Sequence, residues 1–185
     1  MPAGYIDWSV PVFLVLSGVP CSGKTTWRDR VLLEHPDLVL ISSDDRVEQR
    51  AAQTGVSYQE AYLAHKDEIL AELFADAAHA LGNGLSVIWD QTNLTPDLRR
   101  EKLAIMPKSH KAVAVAFEVD PVEQKRRVDE REKRTGKHIP EFVIAKQNAD
   151  YSAPTVEEGF HMVVVHRNSS ARETSTDAGS TAAAM

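Results

Sequence analysis

Cysteine is almost absent from this chain of 185 residues, in which Cys21 is the single example. An internal disulfide framework is therefore excluded, and the cysteine usage fits a reducing cytoplasm, which is the location we expect. The sequence also lacks the Cys/His pattern of a structural zinc site. No apolar run approaches the length of a membrane span, and no positively charged segment leads an apolar core near the N-terminus. We therefore expect neither a membrane span nor a secretory signal.

An excess of positive charge is also lacking. The net charge is −6, with 21 Lys and Arg residues against 27 Asp and Glu residues. This balance argues against a surface that coats nucleic acid broadly. A local basic cleft is still compatible with it, because cationic residues bunch between Lys125 and Lys137. The length fits one domain, and an apolar content of 43% is ordinary for a globular protein.

Short apolar runs alternate with helical patterns along the chain. The predicted strands are Val12–Ser17, Leu38–Ser42, Leu85–Trp89, Ala112–Val119 and Met162–Val165. The predicted helices run from Thr25 to about Glu34, from Tyr58 to Leu81, from Pro96 with Thr95 as cap, from Pro121, and from Pro140 to about Asp150. This alternation predicts an α/β fold with a parallel sheet covered by helices on both faces. We assign residues 1–11 to a loose leader, 12–168 to one domain, and 169–185 to a disordered tail.

A phosphate-binding motif follows the first predicted strand. Residues 18–25 (GVPCSGKT) match G-x-x-x-x-G-K-[ST] at every position, between a buried strand and a helix. Glycines let backbone N–H groups approach phosphates, and the positive end of the helix points at the same anion. We expect Lys24 to reach the β- and γ-phosphates of ATP and the Thr25 hydroxyl to bind Mg²⁺. The predicted nucleotide-binding residues are Gly18, Cys21, Ser22, Gly23, Lys24, Thr25 and Thr26.

The identity of the nucleotide follows from a motif that is missing. ATPases, GTPases and kinases share this cradle, but the chain contains no N-K-x-D segment for guanine recognition. GTP is therefore disfavoured as the nucleotide.

Two carboxylates follow the second predicted strand. Asp44 and Asp45 lie at its C-terminal end, where open α/β sheets bind their ligands. A carboxylate there can accept the proton of an attacking hydroxyl, and we assign this role to Asp44, which comes first after the strand. The alternative is that both residues cap the next helix. For Asp45 the two interpretations are equally favoured.

The third predicted strand ends in the same manner, at Asp90-Gln91-Thr92-Asn93. Asp90 could hold a Mg²⁺-bound water, while Thr92 and Asn93 could hydrogen-bond substrate or fix the loop. The alternative is a purely structural turn, because Asn and Thr are turn formers.

An arginine-rich segment from Lys125 to Arg134 has the composition of a lid over the nucleotide. Arginines that reach the γ-phosphate would neutralise the charge of the transition state, and Arg131 and Arg134 are the best candidates. The alternative is a solvated helix with internal salt bridges. His166 and Arg167 are the candidate adenine contacts, although no motif supports either residue.

In this order the motifs resemble the kinase domain of the bacteriophage polynucleotide 5′-hydroxyl kinases and their wider P-loop kinase clan. The matching segments are GVPCSGKTTW (18–27), ISSDD (41–45), DQTNLTPDLRR (90–100), the lid up to Gly136, and PTVEEGF (154–160). The resemblance implies a P-loop kinase fold with five parallel strands in the order 2-3-1-4-5 and a helical lid. It also implies ATP and Mg²⁺, and the host cytoplasm as the location if the protein is phage-encoded.

The resemblance assigns roles to some residues and departs from the family at one position. It implies that Asp44 activates the acceptor hydroxyl and that Arg134 contacts the transferring phosphate. The family places a substrate-binding arginine three residues after the catalytic aspartate, where this chain has Val47. Arg46 lies one residue earlier. The residues that we assign to substrate binding are Asp45, Arg46, Thr92 and Asn93.

Three functions stay open at this point. The first is a kinase of polynucleotide 5′-hydroxyl ends, with nucleic acid as its partner. The second keeps the chemistry but phosphorylates a hydroxymethylated pyrimidine in phage DNA or a small-molecule hydroxyl. The third is a nucleotide-binding switch that transfers phosphate only to water. Asp44 and the lid arginines disfavour the switch, because a switch needs no base for an acceptor.

Overall fold

Strands and helices alternate through residues 6–168, the part of the chain that the computed structural model describes. The strands are β1 (Val12–Ser17), β2 (Val39–Ser42), β3 (Val87–Asp90), β4 (Lys111–Val119) and β5 (Met162–Asn168). The helices are α1 (Lys24–Glu34), α2 (Ser43–Thr54), α3 (Tyr58–Gly82), α4 (Pro96–Leu103), α5 (Pro121–Thr135) and α6 (Glu141–Asp150). The predicted tail, 169–185, and residues 1–5 of the leader lie outside the described residues. No helix within residues 6–168 is long and apolar enough to cross a membrane.

The five strands form one parallel sheet in the order β2-β3-β1-β4-β5. This confirms the predicted α/β fold and the strand order 2-3-1-4-5. The register aligns Leu16 of β1 with Asp90 of β3, and Asp90 with Ser42 of β2. The carboxyl ends of these three strands therefore meet at one edge of the sheet, where α/β proteins bind ligands.

The central position of β1 follows from its apolar sequence. All of its side chains are buried. Phe13 and Val15 pack in the core on the α2–α3 side, whereas Leu14 and Leu16 pack in the core on the α1 side. Because successive side chains of a strand point to opposite faces, a strand covered on both sides is apolar throughout. The loop that follows β1 thus begins from a rigid point of the fold.

Helix α2 begins directly after β2, in a segment where apolar periodicity alone predicts no helix. Ser42 caps it, since its side chain accepts a hydrogen bond from the backbone N–H of Asp45 at 3.3 Å. Asp44 and Asp45 lie in the first turn, where negative charge is favourable near the positive helix end. The two aspartates therefore lie at a strand end and in a helix N-terminus at the same time.

Residues 6–11, which the sequence assigns to a loose leader, pack against the domain. Ile6 is buried in the core on the α1 side. Trp8 stacks on His35 with 3.9 Å between the ring centroids, and Asp7 accepts a hydrogen bond from Lys111 Nζ at 2.9 Å. These contacts make the described part of the leader a component of the fold.

Candidate active site

The segment from Gly18 to Thr25 forms a loop between β1 and α1 whose shape depends on two glycines. A Cβ at Gly18 would lie 2.8 Å from the carbonyl oxygen of Phe117, which is too close for any side chain. Gly23 caps α1 with a φ of 102°, a left-handed conformation that favours glycine. The Gly18 N–H donates to the carbonyl oxygen of Thr92 at 2.9 Å, which ties the loop to the end of β3.

Lys24 lies folded back on this loop. Its Nζ donates to the carbonyl oxygens of Gly18 at 2.8 Å and Val19 at 2.9 Å. Burial lowers the pKa of Lys24 to about 8, while the carboxylates of Asp90 and Asp44 act in the opposite direction. Both carboxylates therefore lie close enough to influence the ammonium group. A bound phosphate would give Lys24 the full counter-charge that the loop carbonyls do not supply.

Asp44 faces the cleft beside the loop, with 55% of its side chain exposed. The Tyr58 hydroxyl donates to its Oδ1 at 2.8 Å, and Arg131 Nη2 lies 3.5 Å from its Oδ2. Burial, followed by the charge of Asp44, raises the pKa of Tyr58 far above its usual range, so Tyr58 stays a donor. Asp44 is thus held by two groups and retains an exposed carboxylate oriented toward solvent in the cleft.

Arg28 of α1 connects the ends of β2 and β3. Its Nη1 lies 2.8 Å from Asp90 Oδ2 and 3.2 Å from Asp45 Oδ2, and the guanidinium is mostly buried. Burial raises the pKa of Asp90 in spite of the Arg28 and Lys24 charges beside it. Arg28 therefore fixes two carboxylates at the base of the cleft. The structure assigns Asp45 this ion pair, so its predicted contact with substrate stays untested.

The residues at the cradle fit a Mg²⁺ ion that is brought in with a nucleotide. Thr25 is exposed in the first turn of α1, and Asp90 uses Oδ2 for Arg28. Within residues 6–168, no cluster of His, Cys, Asp or Glu side chains could hold a metal alone. Mg²⁺ usually takes one or two protein ligands, several waters and substrate phosphates. Thr25 and Asp90 match that donor set.

Asn93 forms hydrogen bonds that fix the loop and does not point into the cleft. It is buried with a φ of 43°, and its Nδ2 donates to the Leu16 carbonyl oxygen at 2.7 Å. Its own carbonyl oxygen accepts from Ser17 at 2.9 Å and from Arg99 at 2.9 Å. Of the two roles considered for Asn93, the geometry supports fixing of the loop. Thr92 contributes its backbone carbonyl to Gly18, and its side chain is half-buried.

Arg99 of α4 connects two separate sequence motifs, residues 90–100 and 154–160. Its side chain is fully buried and forms two hydrogen bonds with Glu158, each 2.7 Å long. Its Nη1 also donates to the carbonyl oxygens of Asn93 and Ser152, both at 2.9 Å. One buried ion pair behind the loop thus holds the two segments, around residues 99 and 158, against each other.

The arginine-rich helix α5 lies against the phosphate loop along one face. Gln124 donates to the Pro20 carbonyl oxygen at 3.1 Å, and Arg127 Nη1 lies 3.4 Å from that of Cys21. Arg131, one turn further on, reaches Asp44. Arg134 is exposed at the C-terminal end of the helix and makes no side-chain ion pair within the described residues. Other positions form internal pairs, such as Arg126 with Glu123 and Glu130.

Arg46 and Val47 do not join the cleft. Arg46 pairs with Glu72 at 2.8 Å and Asp76 at 2.6 Å on α3. Val47, at the position where the family has an arginine, is 2% exposed and belongs to the core. The structure therefore does not bring Arg46 to the predicted substrate site. Ion pairs with α3 hold the Arg46 guanidinium away from Asp44, and Val47 supplies no cation to the site.

Four site residues escape the sequence-based prediction: Arg28, Tyr58, Arg99 and Arg127. Of these, Tyr58 could have been located from a sequence pattern at the start of α3. Ser57 and Glu60 form a capping box at the start of α3, which places Tyr58 in its first turn. Arg28 and Arg99 have carboxylate partners that are distant in sequence, whereas Arg127 pairs with Glu123 on its own helix and also contacts the Cys21 carbonyl oxygen. His166, one of the two suggested adenine contacts, stacks on Phe117 with 5.4 Å between ring centroids.

Comparisons with known proteins agree with the fold. Residues 13–154 match a family model described as an AAA domain. A candidate kinase from Chloroflexus aurantiacus J-10-fl has a TM-score of 0.64 and 20% identity over 87% of each chain. A chain of the Pnkp1/Rnl/Hen1 RNA repair complex has a TM-score of 0.62 and 24% identity, over 80% of this chain and 46% of that one. Kti12 of Chaetomium thermophilum, in complex with ADP-AlF3, has a TM-score of 0.60 and 17% identity over 84% and 88%. The chain belongs to the AAA domain family and has a P-loop kinase-like fold.

Proposed function

We propose that the protein is an ATP-dependent kinase that transfers the γ-phosphate to a hydroxyl group, with Asp44 as the general base. One observation carries the proposal. Asp44 and Asp90 both lie near Lys24 of the phosphate loop, and Arg131 of the lid lies 3.5 Å from Asp44. A nucleotide switch has no use for an exposed carboxylate beside the γ-phosphate position. A kinase needs one to accept the proton of its acceptor.

The chain's own residues suggest the following reaction. Lys24 exchanges its loop carbonyls for the β- and γ-phosphates of ATP. The acceptor oxygen attacks the γ-phosphorus, its proton passes to Asp44, and the bond to the β–γ bridging oxygen breaks to release ADP. Arg131 stabilises the charge that spreads over the transferring group. Thr25 and Asp90 would hold Mg²⁺, which when bound offsets phosphate charge.

A nucleic-acid hydroxyl is the first candidate acceptor, and a polynucleotide 5′-hydroxyl end is its simplest form. Its support is the resemblance of the motifs to polynucleotide kinases and the fold similarity to a chain of the RNA repair complex. The exposed cations Lys125, Lys133 and Arg134 on the outer face and end of α5 could contact phosphates of such a strand.

A second acceptor class is favoured by one feature of α2. With Val47 in the core and Arg46 paired on α3, this helix offers no arginine to a phosphate near Asp44. That arrangement suits a hydroxymethylated pyrimidine base in DNA or a small-molecule hydroxyl, neither of which carries a phosphate next to the reactive oxygen.

The experiment is transfer from γ-labelled ATP with Mg²⁺ to a panel of acceptors. The panel contains 5′-hydroxyl DNA and RNA oligomers, end-blocked DNA with hydroxymethylated pyrimidines, and small polyols and nucleosides. Label on any of them supports the kinase proposal, and the acceptor identifies the class. Release of free phosphate with no labelled acceptor would contradict the proposal in favour of an ATPase or switch. Lys24→Met, which lacks the cation of the loop, is the blank.

A further inference from the structure

The acceptor side of the cleft is formed by the first turns of α2 and α3 and by the segment after α5. Asp44 and Glu48 lie one turn apart on α2, so both face the same direction. Tyr58 donates to Asp44, and Lys137 pairs with Glu48. The Lys137 ammonium also lies 4.5 Å from the centroid of the Tyr58 ring. We call these four residues, Asp44, Glu48, Tyr58 and Lys137, the acceptor pocket.

The charges of the acceptor pocket are unusual for a site that binds a phosphorylated acceptor. Helix α2 contributes two carboxylates to it, and Glu48 keeps 54% of its side chain exposed. Both arginines of α2 are turned to the other side: Arg46 pairs with Glu72 and Asp76, and Arg50 with Glu68 and Glu72. The two cations at the pocket, Arg131 and Lys137, therefore come from the lid helix and from the segment directly after it.

Neither lid cation is available to hold an anionic group of the acceptor. Arg131 lies beside Asp44 and near Lys24, where the transferring phosphate must pass. Lys137 is already neutralised by Glu48. A phosphate or carboxylate next to the reactive hydroxyl would thus lie against two carboxylates without a cation of its own, and like charges at such short range repel.

The same groups suit a different kind of ligand. An ionised carboxylate only accepts hydrogen bonds, so Glu48 selects for O–H and N–H donors. The Tyr58 ring already packs against an ammonium group, and its face can equally contact a cation, a base or a sugar-like ring.

On the basis of the proposed kinase function, we propose that the acceptor pocket binds an uncharged or cationic group that carries hydrogen-bond donors beside the reactive hydroxyl. Glu48 is the residue that determines this specificity. The acceptor places its donors at Oε2 of Glu48 while Lys137 keeps its pair with Oε1, and the acceptor hydroxyl lies at Asp44. This chemistry is shared by a hydroxymethylated pyrimidine extruded from DNA and by a free polyol, amino polyol or nucleoside.

The test compares acceptors and a charge-removing substitution in the full chain. Transfer from γ-labelled ATP is measured with end-blocked DNA that contains hydroxymethylated pyrimidines, with neutral and amine-bearing polyols and nucleosides, with 5′-hydroxyl oligonucleotides, and with sugar phosphates. Wild type should favour the acceptors that lack a phosphate near the hydroxyl. Glu48→Gln should raise the KM for the preferred acceptor by at least about ten-fold, because a hydrogen bond to a charged group is lost, while the KM for ATP stays unchanged.

A matched variant separates this role from a general effect of removing surface charge. Glu130 on α5 also pairs with an arginine, Arg126, but lies outside the acceptor pocket. Glu130→Gln should therefore leave both KM values at the wild-type level, and thermal unfolding of both variants shows that each is folded.

The outcomes distinguish the inference from the function on which it rests. Label on modified DNA alone, or on small molecules alone, supports the proposed chemistry of the acceptor pocket and identifies which class of molecule is the acceptor. Preference for 5′-hydroxyl oligonucleotides or sugar phosphates overturns the inference and leaves the kinase function standing. An unchanged acceptor KM in Glu48→Gln also overturns it. Hydrolysis of ATP without any labelled acceptor contradicts the kinase function and removes the inference with it.

Discussion

In the structure Lys24 donates to the loop carbonyl oxygens of Gly18 and Val19, and burial lowers its pKa to about 8. A bound nucleotide replaces these weak neutral acceptors by phosphate oxygens, which favour the charged ammonium. The pKa of Lys24 should therefore return to its ordinary range or above when a nucleotide binds. Nucleotide binding must then be accompanied by proton uptake at any pH where free Lys24 is partly neutral.

The size of the effect follows from the pKa of the free side chain. With a value of about 8, Lys24 is about one-tenth neutral at pH 7, about half neutral at pH 8 and about nine-tenths neutral at pH 9. Since the bound side chain is charged at all three, ADP binding should take up about 0.1, 0.5 and 0.9 protons respectively.

The same shift has a counterpart in the nucleotide-free protein. The folded-state pKa of Lys24 lies below the ordinary lysine value of 10.5. Between pH 8 and 10.5 the unfolded chain therefore binds more protons at this group, so its contribution to the free energy of unfolding rises with pH across that window. Below pH 8 the group destabilises the empty protein by a constant amount.

The assay is isothermal titration of ADP at the three pH values, each in two buffers of different ionisation enthalpy. The dependence of the observed enthalpy on the buffer gives the number of protons taken up. Lys24→Arg is the matched control, because a guanidinium stays charged and should remove the pH-dependent uptake wherever binding is still measurable. Absence of uptake in the wild type at pH 9, or its persistence in Lys24→Arg, would refute the reasoning.

Three further substitutions test the framework around the loop. Glu158→Gln leaves the buried Arg99 without its carboxylate and should lower the free energy of unfolding by about 3–5 kcal/mol in denaturant titrations. Glu157→Gln, at an exposed neighbouring position, is the control and should lower it by less than about 1 kcal/mol. Equal effects of the two substitutions would contradict the buried ion pair. Gly18→Ala places a Cβ 2.8 Å from a backbone oxygen and should abolish ADP binding in calorimetry, whereas Gly82→Ala meets nothing within 4 Å and should retain it. Arg28→Met releases the carboxylate at the end of β3 and should weaken nucleotide binding with Mg²⁺ more than binding in EDTA; an equal loss in both would show that Arg28 acts only on the fold.

The fold was predictable because its determinants are local. β1 and the first part of β4 are apolar at nearly every position, as central strands must be, and the glycines of the phosphate loop lie between a strand and a helix. Asp44 was predictable for the same reason, since a residue directly after a parallel strand has to lie at the ligand-binding edge.

The contacts that organise the site were not predictable from one sequence. Arg99 and Glu158 are separated by 59 positions, and Arg28 and Asp90 by 62. Only the packing of the sheet brings such pairs together, and a charged residue in a polar segment has the same composition whether it is buried or solvated. For these residues the sequence supplies the side-chain type but not the partner.

The substrate assignment of Arg46 shows a related limit. Its distance from Asp44 in sequence was known, but the face on which it lies depends on the phase of α2. That phase is set by apolar contacts of Val47 and Ala51 with the core. Because α2 was not predicted as a helix, neither the direction of Arg46 toward α3 nor the position of Glu48 one turn after Asp44 could be derived.

The central claim, that Asp44 is the base of a phosphoryl transfer, is tested most directly by single-turnover transfer from γ-labelled ATP in Asp44→Asn. The acceptor is the one that the panel identifies, and Asp97→Asn, an exposed aspartate on α4, is the control. The transfer rate of Asp44→Asn should be lower by about 10²–10⁴-fold with the affinity for ATP preserved, since an amide keeps the shape but cannot take the proton. Transfer by Asp44→Asn at a rate near that of the wild type would contradict it.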